Sequence, residues 1–123
     1  MKLGDIRLPK NAGRIISSGN RQYRLNFGAV VLETRLLTLI YSNSNLLSGD
    51  WPFSGGFASA PLVNGLLFGL VSSANRRDLA PIDGVAISSS AATIRLWTSS
   101  TSPRSFSVGD TATIMAIAIG EAP

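Results

Sequence analysis

Thr111-Ala-Thr-Ile-Met-Ala-Ile-Ala-Ile119 decides the fold. In an extended chain side chains alternate between two faces. Thr111, Thr113, Met115, Ile117 and Ile119 then share one face, and Ala112, Ile114, Ala116 and Ala118 share the other. A face of mostly small residues opposite a face of larger ones suits a strand between two packed sheets, or a sheet that meets another subunit.

The same period recurs upstream. Ala92 to Thr98 puts Thr93, Arg95 and Trp97 opposite Ile94 and Leu96. Val85 to Ser89 reads as a short strand before a Ser-rich turn. Tyr23 to Val31 alternates as one strand, with Tyr23, Leu25, Phe27, Ala29 and Val31 on one face. Thr34 to Tyr41 suits a further strand or a short helix, and the turn residues Ser42 to Asn45 that follow favour the strand. Pro61 to Val71 is apolar on both faces and reads as a central strand. The segments between are rich in Gly, Pro, Ser and Asn: Leu46 to Ala60, Ser72 to Gly84 and Ser99 to Gly109 read as loops. These segments predict an all-β fold, a compact antiparallel β-sandwich of six to eight strands. Residues 1–20, with Gly4, Pro9, Gly13 and Gly19 and no sustained period, read as an extended N-terminal arm, and residues 21–123 as the sandwich domain.

With 123 residues the chain suits one domain, and its 45% hydrophobic content supplies a core. Cys and His are absent. That excludes disulfides, zinc sites built on Cys or His, and His-based catalytic triads. No cofactor is expected. No apolar h-region follows the first ten residues, so no secretory signal is read. The longest apolar run, Ala60 to Val71, contains Pro61, Asn64, Gly65 and Gly69 and falls short of the roughly 20 residues that cross a bilayer, so no membrane insertion is expected.

The net charge of +4 is local. Residues 1–35 hold seven basic residues against two acidic ones; residues 36–123 hold four against five. A nucleic-acid binder spreads basic residues over a folded face. A basic leader before a near-neutral body instead suits docking onto another protein, and no nucleic-acid partner is expected. Lys2, Arg7, Lys10 and Arg14 are the candidate docking cations, interleaved with Leu3, Ile6 and Leu8. A solvated tail seldom carries so many large apolar groups.

Phe53-Ser-Gly-Gly-Phe57-Ala-Ser-Ala-Pro61-Leu-Val63 resembles the F-P-x-x-F-x-S-A-P-x-V segment of the C-terminal receptor-binding domains of bacteriophage tail fibres. Tyr23-Arg-Leu-Asn-Phe-Gly28 is similar to their opening strand, with Phe27 before Gly28 where Trp is usual, and Ile114-Met-Ala-Ile-Ala-Ile-Gly120 to their closing strand. Between them, Val85 to Ser90 and Thr93 to Trp97 follow the order of their penultimate strands. The resemblance spans about residues 23–120. It implies a small β-sandwich, usually a homotrimer, at the tip of a virion fibre, where it attaches to cell-surface polysaccharide. The chain has only about twenty residues before the sandwich. The expectation is therefore a separate fibre or spike, made in the bacterial cytoplasm and plugged through residues 1–20 into a base, portal, vertex or tail protein of a phage or phage-like particle. Two other readings stand beside it: a capsid or tail decoration protein with no receptor binding, and a non-viral lectin-like module.

For sugar recognition the candidates are Trp51, Asn75, Arg76, Arg77, Asp78, Arg95 and Trp97. Indole faces stack on the apolar faces of sugar rings, and Arg gives bidentate contacts to carboxylates. The plain alternatives are a loop anchor for Trp51, a residue half-buried between strands for Trp97, and a solvated loop tip for Asn75 to Asp78. No enzyme is expected. A glycosidase needs two carboxylates held a few ångströms apart across a cleft, whereas Asp83-Gly84 and Gly109-Asp110 read as turn pairs and Asp78 adjoins Arg76 and Arg77.

Overall fold

The computed structural model describes residues 14–17 (backbone only), 22–74, 78–99 and 105–123. Every element of more than one described residue is β. Eight strands form one antiparallel, strongly curled sheet: β1 (Arg14–Ser17), β2 (Gln22–Asn26), β3 (Val30–Asn43), β4 (Leu46–Pro52), β5 (Leu62–Val71), β6 (Asp83–Val85), β7 (Ala91–Trp97) and β8 (Thr111–Glu121). Within the stretch read as an arm, β1 pairs with β2. Residues 1–13, and with them the candidates Lys2, Leu3, Ile6, Arg7, Leu8 and Lys10, lie outside the described residues.

β3 joins the two layers. One of its edges pairs with β8 from Val30 to Ile40. Its other edge pairs with β2 from Val31 to Arg35 and with β4 from Ile40 to Asn43. The first layer continues through β8 to β5, and the second from β4 to β7 and β6. The core lies between them. Ile114, Ala116 and Ala118 of β8 meet Ile94 and Leu96 of β7, with Leu39, Leu47 and Trp51 in the same cluster. The alternation of β8 is thus as expected, with its small residues inward. These Ala positions leave depth for the larger side chains opposite.

Four local readings change. Tyr23 to Val31 is a hairpin and not one strand. The Asn26 side chain accepts the Gly28 N–H at 2.7 Å, and Gly28 takes the left-handed φ of 87°, which glycine adopts at little cost. Its faces are also reversed: Arg24 is buried and Tyr23 exposed. Leu46 to Pro52 is strand, not loop. Gly49 permits it, because a Cβ there would stand 2.9 Å from Leu39 Cδ2 and 3.2 Å from the Thr38 carbonyl oxygen. The short strand expected over Val85 to Ser89 lies earlier, at Asp83–Val85, and ends at Ala86 with its positive φ of 49°. β5 is an edge strand and not a central one: among the described residues it pairs only with β8, and Leu62, Leu66, Phe68 and Val71 are exposed.

Beneath β2 sits a buried polar cluster. Glu33 is wholly buried and accepts bonds from Arg24 Nη1 (2.8 Å), Gln22 Nε2 (2.6 Å), Ser54 N (2.8 Å) and Ser54 Oγ (2.7 Å). Arg24 also donates to the Gly56 carbonyl and lies over the Phe57 ring, 5.1 Å from its centroid. Phe57 meets Phe53 edge-on, and Phe53 meets Trp51 likewise. The cluster therefore ties the 53–57 loop to β2 and β3, with both oxygens of Glu33 satisfied, while among the described residues the buried Trp51 Nε1 has no hydrogen-bond partner.

Candidate functional site

The two outer faces of the sheet differ in chemistry. On β7, Ala92, Ile94 and Leu96 point into the core, so Thr93, Arg95 and Trp97 face outward, as the alternation predicts. Register then sets their neighbours: Asp50 opposite Thr93 and Ser48 opposite Arg95 on β4, and Asp83 opposite Arg95 on β6. Arg95 Nε and Nη2 donate to the two oxygens of Asp83 at 3.2 and 2.9 Å. The same guanidinium lies 5.2 Å from the centre of the Trp97 ring. Thr93 Oγ1 donates to Asp50 Oδ1 at 3.0 Å. A bidentate fork stacked on an indole is a preorganised surface, since both partners are already oriented. With hydroxyls and a carboxylate beside it, the arrangement can bond polyhydroxyl ligands without rearranging.

The structure separates the residues grouped by the sequence. Arg95 and Trp97 come together. Trp51 is a correction: its side chain is 0% exposed in the core, so it cannot stack on a ligand. It is an inward residue of β4, next to outward Asp50. Asp78, a candidate for sugar contact, is buried, and its backbone carbonyl accepts the Ser99 N–H. Asn75, Arg76 and Arg77 lie outside the described residues. Arg14 opens β1, opposite Asn26. Asp50 and Ser48 were missed as partners of Arg95 and Thr93, although Leu46, Ser48 and Asp50 alternate with Leu47 and Trp51 in a period that marks a half-buried strand.

The opposite face, over β5, β8 and β3, is apolar. Leu62, Ile119 and Leu32 stand in one cross-strand row, and Leu66, Met115 and Leu36 in another. Leu62 is 81% and Leu66 64% exposed. From the Leu62–Ile119 pair to the Val71–Thr111 pair, no outward position carries a charge. Contiguous exposed apolar surface of this kind marks an interaction site.

Two further carboxylates serve the fold. Glu33 is held by four donors, as above, and Asp110 Oδ2 accepts from Ser72 Oγ at 2.6 Å and Ser107 N at 2.9 Å. Among the described residues no three acidic side chains converge as a metal site would require. No helix among them is long and apolar enough to cross a membrane.

No protein-family model and no curated protein sequence matches the chain. A solved structure is similar: the N-truncated R1-type pyocin tail fibre, with a TM-score of 0.56 and 15% identity, over 85% of this chain and 82% of that one. The curled antiparallel sheet described here therefore has a tail-fibre-like fold.

Proposed function

We propose that this chain is a fibre or spike protein of a phage or phage-like particle, which attaches the particle to bacterial cell-surface polysaccharide without chemical turnover. It works as a homotrimer, with the apolar rows of Leu62, Ile119 and Leu32 and of Leu66, Met115 and Leu36 turned toward the other copies, and the polar face of β4, β7 and β6, with the Ile40 end of β3, turned outward. Residues 1–20 dock on a base protein of the particle.

The observation that carries this reading is the division of one tail-fibre-like sheet into an uncharged apolar face and a hydroxyl-rich polar face. The ends of the chain agree with it. Arg14 lies opposite Asn26, and Val30 lies opposite Glu121, so β1 begins and β8 ends at the same pole. The Asn43–Leu46 hairpin lies at the other pole, toward which the polar residues Ser48 and Arg95 also lie. Attachment at one pole and contact at the other is the division of labour a fibre tip needs. Several copies held together raise the effective affinity of a weak sugar site.

Light scattering on the purified protein tests the assembly, and a polysaccharide array tests the contact. The expected results are a mass three times the 12.9 kDa of the chain and retention of at least one bacterial polysaccharide, weakened by Trp97→Ala. A monomer that binds no glycan overturns the proposal. A trimer that binds none favours an assembly protein instead.

A further inference from the structure

A groove of about 340 Å³ runs along the junction of β3 and β4, lined by Thr38, Ile40 and Ser42 from one strand and Ser48, Gly49 and Asp50 from the other. Its size suits one or two sugar rings, since small-molecule sites begin at roughly 300 Å³. Its lining has the two parts that a sugar requires. Ile40, 61% exposed, offers an apolar surface to the C–H face of a ring. Thr38, Ser42 and Ser48 offer hydroxyls, which both donate and accept.

Asp50 sets the charge. Its side chain is exposed; Oδ1 accepts the Thr93 hydroxyl, and among the described residues Oδ2 accepts no hydrogen bond. An ionised carboxylate is an acceptor only, and its two oxygens can take two vicinal hydroxyls. The cation next to this site in the sheet is Arg95, in register with Ser48. Both arms of its fork are committed to Asp83 on the far side of β7. An acidic sugar in the groove would therefore meet Asp50 with, among the described residues, no free cation from β4, β6 or β7 to offset the repulsion.

We infer that the groove binds an uncharged sugar residue of a polysaccharide, with Asp50 accepting hydrogen bonds from two neighbouring hydroxyls and Ile40 packing against the ring, and that it rejects acidic polysaccharides. This rests on the attachment role proposed above and names the class of receptor that role would use.

The test is calorimetric titration of the intact protein with neutral polysaccharides (dextran, mannan, galactan) and acidic ones (alginate, polygalacturonate, hyaluronate). The expected result is binding to at least one neutral polymer and none to the acidic set. Asp50→Ala should weaken the neutral binding tenfold or more, and Ser42→Trp, which fills the groove from an exposed position, should do the same. Both variants should keep the parent melting temperature. Binding confined to acidic polymers, or neutral binding that both variants leave intact, overturns the inference while the attachment role stands. Silence toward every polymer of both classes removes the attachment role and this inference with it.

Discussion

Arg24 Nη1 lies 2.8 Å from Glu33 Oε1, across paired strands, with the Glu33 side chain wholly out of solvent. The two charges sit where the core begins, and each has further hydrogen-bond partners. Such a pair contributes little over an apolar one of the same shape, yet breaking it leaves a charge stranded.

Glu33→Ala should therefore destabilise the fold by about 3–5 kcal/mol, because Arg24 is left buried without its counter-charge. Arg24→Leu combined with Glu33→Leu should cost less than the sum of the single changes, with a coupling of about 0.5–3 kcal/mol. Urea midpoints at one fixed protein concentration measure both. Strict additivity would show that the two side chains do not act as a unit.

Trp51→Ala should cost about 3–5 kcal/mol, the usual loss for a large aromatic removed from a core. Trp51→Phe should keep the fold and leave polysaccharide binding unchanged. In the parent protein, acrylamide should quench the fluorescence of half-exposed Trp97 and spare that of Trp51. A Trp51→Phe protein that folds and loses its ligand would place the indole in the binding site after all.

Leu66→Asp puts a charge at the middle of the apolar outer face, on a side chain that is 64% exposed in the single chain. Burying an unpaired carboxylate in an interface costs several kcal/mol, so the assembly should fall apart while each chain stays folded. Sedimentation velocity reads the first and far-ultraviolet circular dichroism the second. The same substitution at exposed Ser88, in the polar turn before β7, should change neither.

Much of the fold could be read from the chain because its strands alternate. β7 and β8 repeat large, small, polar and apolar positions with a period of two, and the two faces hold the residues that the alternation groups together. β2 defeated the same reasoning. Burial there goes to Arg24 because Glu33, nine residues later, neutralises it, and no local pattern announces a partner across a hairpin. β5 failed for a related reason. A run that is apolar on both faces marks a strand covered on both faces, but it does not say whether the cover comes from the same chain. Trp51 was misplaced because Gly49, Pro52 and Gly55 suggested a loop. Gly49 is instead needed where β4 presses against Leu39. Of the candidate site residues, Arg95 and Trp97 were visible on one strand, whereas Asp50 joins them only through strand pairing.

The hydrogen bond from Ala122 N to the Ala29 carbonyl, 2.9 Å long, ties the tail of the chain to the same turn that Arg14 adjoins. A fluorescent reporter or an affinity tag fused after Pro123 would thus emerge beside the start of β1, on the side away from the Asn43–Leu46 hairpin. Replacing that hairpin with a longer loop would instead display a grafted peptide at the opposite pole, so the molecule can be labelled at one extremity and modified at the other.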